Sequence, residues 1–302
     1  MSKILVVGDA MLDRYLYGNC FRLSPEAPVP IMRVTGQSMA PGGACNTALN
    51  VQSLGVDCAL VSVVGQDEAG KDLVSTLQSQ LSHFHLQQCR AKTTVKTRHI
   101  VGAHHLLRID SESECPIDQV TDVLKYIESY IQDVDWMIFS DYGKHFQRLA
   151  PEIIGIANKA KVPIAVDPKS SDWSIYRGAD LITPNLEEFD TAFDNVGATP
   201  VQLALKQFGI RELLVTEGGN GMTHYSQKRK KSIHRDAISQ EVIDPCGAGD
   251  TAVASFVVGK VRGWTTEQCM EYANESAGQV CQKVGTHTAK GVAFPEGIRK
   301  VA

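Results

Sequence analysis

Short apolar segments alternate with longer amphipathic segments along most of the chain, and this alternation restricts its fold more than any other feature. Each apolar segment ends at Gly, Asp, Ser or Pro, which is typical of buried parallel strands; these segments are residues 4–8, 58–65, 135–140, 162–167, 179–184 and 212–219. Apolar residues at helical spacing occupy residues 44–55, 68–81, 116–131 and 149–160. This order predicts an α/β fold in which a mainly parallel central sheet carries helices on both faces.

Two segments interrupt the alternation. In residues 14–40 and 83–109, polar and apolar positions alternate, which fits antiparallel strands with one face in solvent. We interpret them as a small β-sheet lid inserted into a single domain that spans residues 1–302. The alternative is an antiparallel extension of the main sheet.

Composition excludes several other classes of protein. The 302 residues carry a formal net charge of −4, and no apolar run reaches the roughly 18 residues of a membrane span, so neither nucleic acid nor a membrane is expected as a partner. The first residues predict a strand rather than a signal peptide. The eight cysteines show no CxxC pair and no zinc-type spacing, which indicates free thiols in a cytoplasmic protein. The basic run at residues 228–231 is interpreted as the tip of a solvated hairpin.

The strongest motif is DPCGAGDT at residues 244–251, which precedes an apolar helical segment. Backbone N–H groups of Gly247, Ala248 and Gly249 would lie at the positive end of the helix dipole, where a phosphate that gains negative charge can bind. Asp250 would lie in the first turn, where its carboxylate could accept a proton from an attacking hydroxyl group. The alternative role for Asp250 is a helix N-cap.

Two further motifs fit the same chemistry. In PGGACNTA at residues 41–48, Gly42 and Gly43 let the backbone approach a ligand, and the Asn46 amide offers a donor and an acceptor to a polyol. In TPNLEE at residues 183–188, Asn185 and Glu188 share a helix face and could order magnesium-bound water near phosphates. The structural alternatives are a tight turn at the glycines and a capping pair of Asn185 with Glu188.

The three motifs, in this order and at this spacing, resemble the signatures of the ribokinase/PfkB family of sugar kinases, and family-like features run from about residue 3 to about residue 297. The resemblance implies a ribokinase-like three-layer α/β/α sandwich with a small β-sheet lid. It also implies transfer of the γ-phosphoryl group of ATP to a sugar hydroxyl, with Mg²⁺ as cofactor. Asp250 matches the general base of the family, and Gly247, Ala248 and Gly249 match its anion hole.

The resemblance implies further roles by position. Asp13, Gly42, Gly43 and Asn46 match residues that contact the sugar. The positions that match the ATP and Mg²⁺ side are Asn185, Glu188, Thr216, Gly218 and Asn274. Asp244 and Gly285 match positions at which several members hold a monovalent cation such as K⁺. Glu217 departs from the pattern, because an unpaired carboxylate beside the phosphates would repel ATP.

A narrower resemblance is to the heptose-phosphate kinases of this family. It is carried by residues 6–18, 22–30, 140–144, 166–189 and 215–222. It implies phosphorylation of the C1 hydroxyl of D-glycero-β-D-manno-heptose 7-phosphate to the 1,7-bisphosphate, in ADP-heptose synthesis for the lipopolysaccharide core. Because no HxGH-type nucleotidyltransferase motif is present, adenylyl transfer would fall to another protein.

A substrate with a 7-phosphate requires cations at the far end of the sugar site. The basic residues available near the lid and the strand ends are Arg14, Lys96, Arg98, Arg108 and Lys144. Two alternatives stay open. One is another kinase of the family, acting on ribose, fructose, a fructose phosphate or a nucleoside, and the other is an inactive sugar-binding module on the same fold. The lid strands also predict a homodimer that forms through them.

Overall fold

A computed structural model describes residues 3–102, 104–194, 201–238 and 241–295. Within these ranges the strands are β1 (Lys3–Gly8), β2 (Ala10–Leu23), β3 (Pro30–Gly43), β4 (Asp57–Gly65), β5 (His83–Cys89), β6 (Thr94–Val101), β7 (His104–Ser111), β8 (Trp136–Ser140), β9 (Ile164–Asp167), β10 (Leu181–Ile182), β11 (Glu212–Thr216), β12 (Met222–Ser226) and β13 (Ile233–Arg235). The helices are α1 (Ala44–Ser53), α2 (Glu68–Gln78), α3 (Ile117–Val120), α4 (Val123–Tyr130), α5 (Ala150–Ala160), α6 (Leu186–Asp194), α7 (Val201–Phe208), α8 (Ala248–Val261) and α9 (Thr266–Cys281).

The main sheet of the described residues has nine strands in the order β13-β12-β11-β10-β9-β8-β1-β4-β5. All pairs from β11 to β5 are parallel, and β12 and β13 continue the sheet as an antiparallel edge. Alternate residues of the central strand β1 enter different cores, with Ile4 and Val6 on one face and Leu5 and Val7 on the other. Helices α1, α8 and α9 cover the first face, and α4, α5 and α7 cover the second. The predicted three-layer α/β/α architecture is confirmed.

One part of the predicted lid belongs to the main sheet instead. The segment His83–Cys89 forms β5, which pairs in parallel with β4 at the sheet edge. Its residues Phe84 and Leu86 pack against the core and Cys89 is buried, whereas His83 and Gln88 are exposed. An edge strand of this kind shows the same polar–apolar alternation as a lid strand, so the pattern could not distinguish the two.

The remaining lid strands form a separate four-stranded sheet in the order β3-β2-β6-β7, which we call the small sheet. Its central pair, β2 with β6, is parallel, whereas the outer pairs are antiparallel. Side chains alternate between its two faces. The register places Asp13, Tyr15, Lys96, Arg98 and Arg108 on one face, called the inner face here, and Arg14, Leu16, Thr97, Leu107 and Ile109 on the other, called the outer face.

The structure also bears on the basic run at residues 228–231 and on the expectation that no helix spans a membrane. Residues 228–231 are exposed and join the antiparallel strands β12 and β13, so this basic run is a hairpin tip. No helix within the described ranges is both long and apolar enough to cross a membrane.

Candidate active site

The DPCGAGDT motif forms the loop before α8 and the first turn of that helix. Gly247 is the N-cap, with a φ of 81° that favours glycine, and a Cβ atom at this position would lie 2.8 Å from Nδ2 of Asn46. Asp250 therefore lies inside the first turn and is buried, with 4% of its surface exposed. The alternative role of Asp250 as a helix N-cap is wrong.

Three donors from two other elements hold the Asp250 carboxylate. Asn46 Nδ2 donates to Oδ2 at 2.8 Å, and Thr47 Oγ1 and the Tyr142 hydroxyl donate to Oδ1 at 3.2 and 2.7 Å. Burial raises the pKa of Asp250 to about 6, against the effect of these three donors, and the nearby charge of Asp13 adds to the rise. A carboxylate with this pKa can accept a proton near neutral pH.

Backbone N–H groups at the start of α8 face the same region. The Ala248 N–H donates to the Pro245 carbonyl at 3.2 Å, so the structure turns this amide away from the expected anion hole. In the part of the chain that the structure describes, no group accepts a hydrogen bond from the amides of Gly247, Gly249 or Asp250. These three donors lie at the positive end of the helix and are available to an anion.

Tyr142 and the residue that positions it, Asp9, belong to this site although none of the three motifs contains them. The buried Asp9 carboxylate accepts hydrogen bonds from the backbone N–H groups of Tyr142, Lys144, His145 and Phe146, at 2.8–3.3 Å. The sequence did contain a signal for both residues. Asp9 directly follows β1, and Asp141 and Tyr142 directly follow β8; these neighbouring parallel strands end at the same edge of the sheet.

The inner face of the small sheet presents Asp13, whose two carboxylate oxygens are both engaged. Oδ1 pairs with the buried Arg98 guanidinium, and Oδ2 accepts a 2.8 Å hydrogen bond from Thr286 Oγ1. A Cβ atom on Gly42 would come within 2.4 Å of Asp13 Oδ2, so only glycine allows this close approach. Because a carboxylate offers about four lone-pair sites, Asp13 can still accept hydrogen bonds from sugar hydroxyls.

A cavity of about 310 Å³ lies beside this face, at the lower end of the range for small-molecule sites. It is enclosed by β2, the end of β3, the start of α1 and residues 284–288. Asn46 lines the cavity and also donates to Asp250, so the cavity borders the candidate base.

The five basic residues expected at the substrate phosphate differ in their partners. Arg98 pairs with Asp13, Arg108 forms a bidentate pair with Asp110, and Lys144 pairs with Glu112. Strand alternation directs Arg14 to the outer face, away from the others. Lys96 forms no ion pair with any described carboxylate, and its ammonium group lies 5.1 Å from the centre of the Tyr142 ring. Partial burial lowers the pKa of Lys96.

Asn185 and Glu188 form the capping pair that was the structural alternative for this motif. The Asn185 N–H donates to Glu188 Oε2 at 3.1 Å, and the Glu188 N–H donates to Asn185 Oδ1 at 2.9 Å. Lys169 Nζ pairs with the other Glu188 oxygen at 3.0 Å. Thr216 ends the adjacent strand β11 and forms a β-bridge with Asn185, so these two predicted ATP-side positions do converge.

The other ATP-side positions are accounted for differently. Gly218 is exposed in a short turn after β11, and the Glu217 carboxylate lies 4.0 Å from Nδ1 of His234. The Asn274 amide donates to the carbonyls of Arg235 and Asp236 at 3.4 and 3.1 Å. Asn274 of α9 therefore holds the end of β13 and the residue after it by hydrogen bonds. The sequence contained no indication of these contacts.

Asp244 and Gly285, expected at a monovalent cation, are brought together by a hydrogen bond. Gly285 N–H donates to Asp244 Oδ2 at 2.8 Å, and Cys246 N–H donates to Oδ1 at 3.0 Å. His105 from β7 lies 3.7 Å from the same Oδ2. The buried Asp244 carboxylate thus fixes the loop that carries Gly247.

Comparison with known proteins decides the family. The model of the pfkB family of carbohydrate kinases matches residues 1–290. The chain belongs to the PfkB family. It is an ATP-dependent carbohydrate kinase by this membership.

Two similar proteins share the name bifunctional protein HldE. The chain is 38% identical to HldE of Stutzerimonas stutzeri over 306 residues, which cover 99% of this chain and 64% of that protein. It is 36% identical to HldE of Histophilus somni over 304 residues, which cover 98% of this chain and 64% of that protein. The chain therefore spans less than two thirds of these relatives.

Solved structures of PfkB-type kinases share the fold at low identity. Phosphofructokinase-2 from Escherichia coli, in complex with potassium, superposes with a TM-score of 0.79 at 17% identity and covers 96% of each chain. Ribokinase from Arabidopsis thaliana, complexed with ribose and ATP, gives 0.72 at 18% identity and covers 95% of each chain.

Several carboxyl groups lie near one another at the carboxyl end of the main sheet in this PfkB kinase. Burial, with the charges of Asp250, Glu188 and Asp141, raises the pKa of Asp167 well above its ordinary value. Among the residues that the structure describes, no group of three or more His, Cys, Asp or Glu side chains is placed to hold a metal ion directly. Asn185 and Glu188, being engaged with each other, would hold Mg²⁺ through water molecules, which agrees with the preference of Mg²⁺ for retaining water.

Proposed function

We propose that the chain transfers the γ-phosphoryl group of ATP to the C1 hydroxyl of D-glycero-β-D-manno-heptose 7-phosphate, giving the 1,7-bisphosphate for ADP-heptose and lipopolysaccharide core synthesis. The observation that carries the substrate assignment is Lys96, a partly buried cation without an ion-pair partner among the described residues, on the face that meets Tyr142 and the base. The narrower sequence resemblance and the similarity to the HldE proteins support it.

Asp250 acts as the general base in this proposal. As the C1 oxygen forms its bond to the γ-phosphorus, its proton passes to Asp250, and the bond between the γ-phosphorus and the bridging oxygen breaks with its electron pair leaving on ADP. The free amides of Gly249 and Asp250 donate to oxygens of the transferring group. Asn185 and Glu188 would hold Mg²⁺ through water molecules, and the ion would supply neutralisation of the phosphate charge.

The inner face of the small sheet supplies the contacts to the sugar phosphate. Asp13 keeps lone pairs for sugar hydroxyls, as do Asn46 and the backbone at Gly42 and Gly43. Lys96 binds the 7-phosphate as a point charge. Arg98 and Arg108, opposite each other on β6 and β7, are already paired with Asp13 and Asp110, so the assignment does not depend on them. The small sheet thereby acts as the lid over the sugar and limits hydrolysis of ATP.

The small sheet also carries the proposed homodimer contact. Leu107 and Ile109 on its outer face are 55% and 50% exposed, and Met39, paired with Arg14, is 42% exposed. Exposed apolar side chains on a sheet with free edges suit a two-fold contact with a second copy. We further infer a cytoplasmic location, because all eight cysteines are free thiols.

The test is ATP consumption with D-glycero-D-manno-heptose 7-phosphate beside ribose, fructose and fructose 6-phosphate, with Mg²⁺ present. Phosphorus NMR of the product then locates the new phosphate. Selective turnover to a 1,7-bisphosphate is expected. Turnover with another sugar alone would remove the heptose assignment, and tight sugar binding without turnover would favour an inactive sugar-binding module.

A further inference from the structure

The three donors on Asp250 are distributed unequally over its two oxygens. Oδ1 accepts hydrogen bonds from both Tyr142 and Thr47, at 2.7 and 3.2 Å, whereas Oδ2 accepts one, from Asn46. A carboxylate has about two lone-pair sites on each oxygen. Oδ1 is therefore filled, and the remaining acceptor site lies on Oδ2.

Contacts on both sides hold Tyr142 in this position. Its backbone N–H donates to Asp9 Oδ2 at 3.0 Å, which ties it to the end of β1. On its other side, the Lys96 ammonium group lies 5.1 Å from the ring centre, within the range of a cation–π interaction. The ring thus lies between the candidate base and the cation that we assign to the substrate phosphate.

The geometry points to Tyr142 as a positioning residue for the base: by filling Oδ1 it leaves Oδ2 as the atom that receives the proton of the sugar hydroxyl. This inference rests on the proposed function, in which Asp250 is the base. Tyr142 stays a donor throughout the reaction, because burial and the nearby Asp250 and Asp167 carboxylates raise its own pKa well above the ordinary value. It therefore orients the carboxylate without relaying a proton.

Removal of the hydroxyl has a defined electrostatic consequence. Three hydrogen-bond donors face the Asp250 carboxylate: Asn46 and Thr47 of α1 and Tyr142 after β8. Two nearby carboxylates also interact with it, Asp13 on β2 and Asp167 on β9. The Lys96 ammonium group of β6 lies over the Tyr142 ring. Since a hydrogen bond to the charged form lowers the pKa of a carboxyl group, its loss in Tyr142→Phe raises the pKa of Asp250 from about 6.

The test compares Tyr142→Phe with wild type and with Tyr176→Phe. Tyr176 makes the same kind of bond, from its hydroxyl to the buried Asp141 carboxylate, so it is a control matched in chemistry. The acid limb of kcat/KM, measured with the sugar that wild type phosphorylates, is expected to move up by about one pH unit in Tyr142→Phe and not in Tyr176→Phe. We expect kcat to fall about tenfold in Tyr142→Phe with a smaller change in KM for the sugar.

A second measurement does not require turnover. NMR of protein labelled with ¹³C in the aspartate carboxyl groups, with Asp250→Asn to assign the signal, gives the pKa of Asp250 directly. A rise in Tyr142→Phe supports the inference. A folded Tyr142→Phe protein with an unchanged Asp250 pKa and an unchanged acid limb would overturn it while leaving the kinase assignment intact. Absence of wild-type turnover on every sugar would instead overturn the proposed function.

Discussion

Asn46 donates a 2.8 Å hydrogen bond to Asp250 and so joins the first turns of α1 and α8, which are 204 residues apart in sequence. Thr47 repeats the link from the next position, and Gly247 leaves room for the Asn46 side chain. The N-terminal ends of two helices therefore meet at one carboxylate. A shift of either helix would disturb the Asp250 carboxylate, so the geometry of the proposed base depends on how α1 packs against α8.

The raised pKa of Asp250 predicts a specific pH dependence. The base must be deprotonated to work, and its pKa is about 6, so kcat/KM is expected to fall about tenfold per pH unit below that value. Asn46→Ala removes one donor and is expected to move this limb to higher pH. A pH profile of kcat/KM for both proteins checks this. A limb in Asn46→Ala at or below the wild-type position would contradict the account.

Lys96 and Arg14 provide a matched pair of cations on opposite faces of the small sheet. Lys96→Met is expected to raise KM for a phosphate-bearing sugar at least about tenfold, because a partly desolvated cation–phosphate contact is lost. It should have little effect on KM for an unphosphorylated sugar, and Arg14→Met should resemble wild type with both. Equal effects of the two substitutions would remove Lys96 from the substrate site.

The outer face predicts how the chain associates. Sedimentation velocity at micromolar concentration is expected to show a dimer for wild type and a monomer for Ile109→Lys, because a charge would be buried without a partner. Leu203→Lys is the control, since Leu203 is 56% exposed on α7, outside the small sheet. A wild-type monomer, or equal dissociation in both variants, would exclude this interface.

The substitution Glu188→Gln removes the negative charge of this residue but keeps its ability to cap α6. Glutamine can still accept the Asn185 N–H, so stability should change little, while loss of the negative charge should raise the Mg²⁺ concentration for half-maximal activity several-fold. Glu187→Gln, next to it on α6, is the control. An unchanged Mg²⁺ requirement in Glu188→Gln would show that this residue serves α6 alone.

The sequence predicted the sheet better than it predicted the partners of individual side chains. The strands β1, β4, β8, β9 and β11 are recognisable because continuous apolar runs suit strands buried on both faces. β5 was assigned to the lid because edge strands and lid strands share one alternating pattern. The position of Asp250 at the N-terminus of α8 could be predicted because the motif that indicates it consists of adjacent residues, 244–251.

Contacts between residues that are distant in the sequence could not be predicted from local motifs. Nothing local to Arg98 indicates that it neutralises Asp13, 85 residues away, rather than a phosphate. Tyr142 was missed because its role depends on the meeting of β8, α1 and α8. Asp9 carried a usable signal, since a polar residue directly after a central parallel strand faces the ligand edge of the sheet.

Asp250, held by residues of α1 and the loop after β8, is the proposed base of this sugar kinase. The most direct test is Asp250→Asn, which keeps the size of the side chain but cannot accept the proton. Phosphoryl transfer and sugar binding would be measured side by side, by rapid quench and by calorimetry. We expect a kcat lower by at least about a hundredfold, with sugar binding retained. Near-normal transfer in Asp250→Asn would contradict it.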